Sequence, residues 1–212
     1  RGLLQAYSGT AGDFPPELLV RRGARRSEDA PDFFTADLIE GYAVAAYRSA
    51  VHLQKSRRLA EAERALHESW AASWRFPDVP LFLGYVQASG GRLAEASATY
   101  GLADGLFEEK LALAARWRAL PAVVDVLRRQ AAEAATHGGV AREKLGDPAG
   151  AERRYRRALE LQPLAETRFN LAVLAWGKDW PAAEEHLVEA VRLDPAHAAS
   201  AKYLSALRAR RR

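Results

Sequence analysis

The residue types that most often perform catalysis occur in this 212-residue chain but do not converge on a common site. No His-Glu-x-x-His pair of a zinc peptidase is present. The five histidines are scattered along the chain, at His52, His67, His137, His186 and His197. The absence of cysteine excludes thiol catalysis, cysteine-based zinc sites and disulfide bonds. We therefore expect a protein that is not an enzyme, with no catalytic residues, no metal, no cofactor and no small-molecule substrate.

Two further patterns have no chemical function in their context. The pair Gly138-Gly139 is not followed by the Gly-Lys-Ser/Thr of a phosphate-binding loop, and it falls inside a helical segment. The adjacent carboxylates of Glu108-Glu109 and of Glu184-Glu185 point around a helix rather than at a shared site. These patterns favour a binding protein over an enzyme.

The composition favours an all-α fold. Hydrophobic residues make up 49% of the chain and are mainly alanine and leucine, which are strong helix formers. The net charge of +4 is too small to favour nucleic acid strongly. No apolar run approaches the roughly 18 residues that would span a bilayer, so we expect no membrane span. The cellular compartment stays open between the cytoplasm and an extracytoplasmic space, in a bacterial source.

A duplicated pentapeptide indicates a repeat. Arg-Leu-Ala-Glu-Ala occurs at 58–62 and again at 92–96, 34 residues apart. This period is typical of helix-turn-helix units that stack on copies of themselves. We expect an irregular arm or linker over 1–31, where glycines and prolines interrupt every helix except a short turn at 17–22, and one helical domain over 32–212.

Apolar periodicity and turn residues predict ten helices. Asp147-Pro148 and Asp194-Pro195 each combine a capping side chain with a proline suited to the first helical turn. The predicted helices are 33–54, 58–74, 79–89, 92–104, 106–119, 121–145, 148–161, 165–176, 180–192 and 196–209.

Small and large residues recur at similar intervals in three segments: Ala96, Tyr100 and Ala103; Ala151, Tyr155, Ala158 and the closing Pro163; and Ala183, Leu187 and Ala190. This spacing resembles helix B of the tetratricopeptide repeat (TPR) family, in which helix A pairs with helix B. The resemblance implies a right-handed superhelical solenoid over 32–210 with a capping helix at 196–210.

The repeat is interrupted between its second and third units. The helix B alanines 62, 96, 151 and 183 are separated by 34, 55 and 32 residues. We expect one extra helix within about 105–131, at Leu106 to Ala119, and we expect this segment to carry what is specific to the protein.

The resemblance also implies a ligand site, a concave and largely apolar groove lined by the A helices, which would bind a peptide or a partner domain. The implied peptide-binding residues are Tyr47, Arg48, Val51, Leu81, Tyr85, Phe169, Asn170, Val173 and Trp176. An equally weighted interpretation is that Phe169 and Trp176 pack against the capping helix and Tyr47 against the N-terminal arm. The implied function is a non-catalytic protein-protein interaction scaffold.

Two other functions stay open. The chain could be the C-terminal regulatory or assembly domain of a larger membrane-embedded bacterial enzyme such as a glycosyltransferase, which membrane-spanning helices encoded upstream would indicate. It could also be a basic nucleic-acid-binding repeat, the least favoured of the three. That hypothesis depends on four arginines expected on a solvated helix face, Arg153, Arg154, Arg156 and Arg157.

Overall fold

A computed structural model describes residues 26–30 and 32–210. In these residues a short 3-10 turn, Ser27–Asp29, precedes nine α-helices, and no strand is present. The helices are α1 Phe33–Lys55, α2 Leu59–Ala72, α3 Asp78–Ser89, α4 Leu93–Arg116, α5 Pro121–Lys144, α6 Pro148–Leu161, α7 Ala165–Ala175, α8 Trp180–Leu193 and α9 Ala198–Arg210. The all-α prediction is confirmed. The predicted arm, including its turn at 17–22, lies mostly outside the described residues.

Aspartate side chains begin three of the helices. Asp32, Asp147 and Asp179 accept a hydrogen bond from the backbone amide three residues on, at 2.9, 2.8 and 3.0 Å. Each bond satisfies an amide that has no partner inside its helix. The predicted start of the capping helix at Ala196 is wrong, because Asp194 accepts from the Ala196 amide in a turn and the helix begins two residues later.

The helices form two compact groups, α1 to α3 up to Arg92 and α4 to α9 from Leu93. In the first group, α1 and α2 pair and α3 packs on α2. Ser69 stands where the repeat pattern expects alanine. It is nevertheless fully buried, because its hydroxyl donates to the carbonyl of Ala43 on α1 at 2.7 Å.

In the second group, the predicted helix B residues form the contacts between helices. Eight of these nine side chains are completely buried and that of Tyr100 is nearly so. The nine residues are Ala96, Tyr100, Ala103, Ala151, Tyr155, Ala158, Ala183, Leu187 and Ala190. The Tyr155 ring lies against Gly139 of α5, where a Cβ atom would overlap it. The small residues therefore allow close helix crossings, as the repeat pattern predicts.

The predicted helix boundary at residue 104 is wrong. The segment expected as a separate helix over 106–119 is mostly the second half of α4, which runs without interruption through Gly105. A single glycine costs a helix only about 1 kcal/mol relative to alanine. Leu106 and Phe107 continue the buried stripe begun by Ala103, and their burial outweighs that cost.

The interruption of the repeat therefore takes the form of two long helices, α4 and α5, of 24 residues each. We call residues 109–130, where α4 ends, the chain turns and α5 begins, the hairpin tip. Of the side chains in the hairpin tip, Ala114 alone is buried. Across the described part of the chain, no helix is both long enough and apolar enough to traverse a bilayer.

Candidate peptide-binding site

The first group of helices carries five of the predicted peptide-binding residues. Tyr47 and Val51 are four residues apart on α1, and Leu81 and Tyr85 are four apart on α3, so each pair shares a helix face. Arg48 and Tyr85 are exposed, whereas the other three are half-buried. This part of the predicted set is therefore accessible from solvent.

Four aromatic rings connect these faces, and we call them the aromatic ladder: Phe76, Tyr47, Phe82 and Tyr85. The Tyr47 ring lies 5.3 Å from that of Phe76 and 5.8 Å from that of Phe82. Phe82 in turn stacks on Tyr85 at 6.0 Å, with the two rings only 8° from parallel. Tyr85 ends the ladder and remains 41% exposed. The ladder therefore exposes the Tyr85 ring to solvent. Phe82 supports this ring directly, and Tyr47 and Phe76 pack behind Phe82.

Tyr47 is the enclosed member of the ladder. Its burial, together with the nearby negative charge of Asp78, raises the pKa of the Tyr47 hydroxyl from 10.0 to about 12. Its ring neighbours are Phe82 on α3 and Phe76 in the segment before α3. The predicted packing of Tyr47 against the N-terminal arm concerns residues 1–31, of which 26–30 are described.

The sequence analysis missed Phe76 and Phe82. Phe82 could have been found from its place three residues before Tyr85, since that spacing brings two side chains together on a helix. Phe76 lies outside α3, and nothing in the helical periodicity indicates its contact with Tyr47.

The second group of helices carries the remaining predicted residues on or next to α7. Phe169 and Trp176 contact Tyr203 of α9, with ring centroids 5.2 and 5.1 Å apart. Trp176 also meets Trp180 of α8 edge to face at 5.1 Å. We call Phe169, Trp176, Trp180 and Tyr203 the cap cluster. These contacts are the packing against the capping helix that the sequence analysis weighed as the alternative to ligand binding.

The other two residues of this set, Asn170 and Val173, are half-buried. The side-chain amide nitrogen of Asn170 is buried and has no acceptor among the described residues. The amide nitrogen of Asn170 is therefore not displayed on the surface.

The basic cluster on α6 is largely neutralised by carboxylates. Arg154 lies 3.4 Å from Asp104, and both side chains are about four-fifths buried. Arg157 lies 2.7 Å from Glu108. Arg156 pairs with Glu152 in the next turn of its own helix. The expectation of a fully solvated face is wrong for Arg154, because the continuous α4 carries Asp104 and Glu108 alongside α6.

Burial controls the protonation of these partners. It raises the pKa of Asp104 above its ordinary value, while the adjacent Arg154 acts in the opposite direction. Burial also lowers the pKa of Arg154. Among residues 26–30 and 32–210, no group of three or more histidine, cysteine, aspartate or glutamate side chains could hold a metal ion.

The helix pairs and the buried alanine and tyrosine positions define an all-α protein with a TPR-like fold, and the predicted resemblance is confirmed at this level. No family model matches the sequence, and no curated protein matches it.

Several solved structures are similar to the chain. The TPR protein YrrB, described as having an unusual peptide-binding site, is 18% identical, with 82% of this chain and 98% of that one covered and a TM-score of 0.33. TTC0263, a thermophilic TPR protein of Thermus thermophilus, is 16% identical, with coverages of 78% and 98% and a TM-score of 0.43. The TPR domain of P58(IPK) is 17% identical, with coverages of 83% and 58% and a TM-score of 0.34. These values are too low to transfer a binding site residue by residue.

Proposed function

We propose that the protein is a non-catalytic protein-protein interaction module that binds a peptide segment on the face formed by α1 and α3. The observation that carries this proposal is the stack of Phe82 on Tyr85, which leaves Tyr85 41% exposed on a fixed aromatic support.

A supported tyrosine is a suitable anchor for a peptide. Tyrosine, tryptophan and arginine dominate the binding energy of protein interfaces, since they supply a large contact area. A ring already held by its neighbours loses little conformational entropy on binding, so less of the contact energy is lost. Arg48 is exposed on the same helix as Tyr47 and offers a cationic side chain to solvent.

The chemistry of this face defines the ligand. Val51 and Leu81 are half-buried and offer apolar surface on the same two helices as Tyr85. A short amphipathic helix or an extended segment with an aromatic or leucine side chain as its anchor matches this surface. Phe169 and Trp176 are not part of the proposed anchor, because the cap cluster already engages them. Asn170 and Val173 lie in the second group of helices and are not part of it either.

The test is selection of peptides from a displayed random library on the full chain, followed by titration of each selected peptide. We expect Tyr85→Ala to lower the affinity at least about tenfold, as for other central aromatic anchors, with little change in melting temperature. Phe33→Ala is the matched control, because Phe33 is also an exposed aromatic residue and lies at the far end of α1. Selection of no peptide, or equal binding by Tyr85→Ala, would contradict the proposal.

A further inference from the structure

The hairpin tip has an unusual surface for a turn between two helices. Such turns are normally polar, because they face water. Here the six residues from Ala119 to Val124 carry no charge and include Leu120, Pro121 and two valines. Trp117 is 75% exposed and Leu120 is 73% exposed. The most accessible large apolar side chains of the α4–α5 hairpin therefore lie at its end.

The helices on either side extend this apolar surface. Leu113 lies on α4, and Trp117, four residues later, directly follows the end of that helix. Val123 and Val126 are three residues apart on α5. Each pair therefore shares a face. All four side chains are exposed. The apolar surface therefore covers both helix ends and the turn between them.

Positive charge surrounds the apolar surface. Residues 109–130 contain one lysine and four arginines against one glutamate and one aspartate, which gives five positive and two negative charges and a net +3. All four arginines are exposed: Arg116, Arg118, Arg128 and Arg129. Arg129 also lies 3.2 Å from Glu133, one helical turn further from the end of the hairpin. The hairpin tip thus combines an apolar end with a cationic rim.

The hairpin tip also extends past the helix that packs beside it. Arg157 of α6 contacts Glu108 of α4, and beyond Glu108 the only buried side chain before Ala131 is Ala114. The eight residues of α4 after Glu108 span about 12 Å at 1.5 Å per residue. This length is comparable to the roughly 5 to 10 Å by which interfacial segments enter the headgroup and acyl boundary of a bilayer.

We propose that the hairpin tip docks on the surface of an anionic membrane, with Trp117, Leu120 and Val123 in the interfacial layer and the arginines on acidic headgroups. Tryptophan favours the membrane interface, because its ring is apolar and its N–H remains near water. Each arginine close to an anionic surface strengthens the attachment. The hairpin attaches at the surface and does not span the bilayer.

A second copy of the chain fits the hairpin tip less well. Two tips meeting end to end would bring a net +3 against a net +3. This repulsion favours an anionic surface as the occupant.

The test is co-sedimentation of the full chain with vesicles of equal parts phosphatidylglycerol and phosphatidylcholine, and with vesicles of phosphatidylcholine alone. We expect binding to be about tenfold stronger to the anionic vesicles and to weaken as salt is added. The double variant Trp117→Ser with Leu120→Ser is expected to lose this binding. Val188→Ser is the matched control, because Val188 is 42% exposed on α8 and should bind as the parent chain does.

The depth to which the hairpin tip enters the membrane can be measured with a fluorescent label. Because the chain has no cysteine, an introduced cysteine is labelled at one position only. An environment-sensitive fluorophore on Leu120→Cys is expected to shift to the blue on anionic vesicles, whereas the same label on Leu145→Cys is not. Leu145 is an exposed leucine at the opposite end of α5. The proposal is overturned if the chain binds neither kind of vesicle, or if the double variant binds anionic vesicles as well as the parent chain does. It is also overturned if the emission of the label at Leu145, and not at Leu120, shifts to the blue. Dimerisation in the absence of vesicles that requires Trp117 and Leu120 would also overturn it.

Discussion

The aromatic ladder and the cap cluster are both groups of four aromatic side chains in mutual contact, yet their predicted ligand-binding rings differ in accessibility. In the ladder, Tyr85 of α3 remains 41% exposed on the stacked ring of Phe82. In the cap cluster, Phe169 and Trp176 lie against Tyr203 of α9, and both are half-buried. Contact with Tyr203 of the capping helix therefore accompanies the lower exposure of Phe169 and Trp176.

The largest expected effect is on folding, in the cap cluster. Trp176→Ala removes ring contacts to Trp180 and Tyr203, and we expect it to lower the free energy of unfolding by about 2 to 4 kcal/mol. Tyr85→Ala, at the exposed end of the ladder, should lower it by about 1 kcal/mol or less. Denaturation in urea, followed by circular dichroism, measures both. Equal losses would mean that Tyr85 belongs to a core in the same way as Trp176.

An intermediate effect is expected at the capping helix itself. Tyr203→Ala removes the ring that contacts both Phe169 and Trp176, and we expect a loss of about 1 to 2 kcal/mol together with increased binding of an apolar dye. Tyr203→Phe keeps the ring and serves as the control. If Tyr203→Ala leaves both stability and dye binding unchanged, α9 does not cover the two rings in the way described.

The smallest effect concerns pH and Tyr47, which lies between Phe76 and Phe82 in the ladder. Because the pKa of Tyr47 is raised from 10.0 to about 12, the folded state favours the neutral hydroxyl. The stability that this contributes is fully present below pH 10 and is lost as the pH rises from 10 towards 12. Tyr47→Phe should therefore lose less stability than the parent chain over this interval, as measured by urea denaturation at each pH. Parallel losses would show that Tyr47 is not enclosed.

Much of the fold could be predicted, because helix contacts repeat along the sequence. The alanines and large residues spaced along helix B are buried as expected, and capping aspartates begin α6 and α8 where proline follows in the first turn. The end of α4 could not be predicted in the same way. Gly105 has the local character of a helix break, but the burial of Leu106 and Phe107 depends on neighbouring helices.

The resemblance to the TPR family identified Tyr47 and Tyr85 as candidate site residues, but it did not give their surroundings. The contribution of Phe76 depends on a contact with Tyr47, which is distant from it in the sequence. The same limit applies to Phe169 and Trp176, whose accessibility is decided by a side chain at position 203.

The contact between Gly139 and the Tyr155 ring makes these two positions dependent on each other in evolution. A side chain larger than glycine at 139 would overlap the ring, so it could be accommodated only together with a smaller residue at 155 or a shift of α6 along α5. Homologous sequences that keep this pair of helices should therefore change the two residues together, with a larger residue at 139 accompanied by a smaller one at 155. A designer who wished to change the angle between α5 and α6 would begin with this pair.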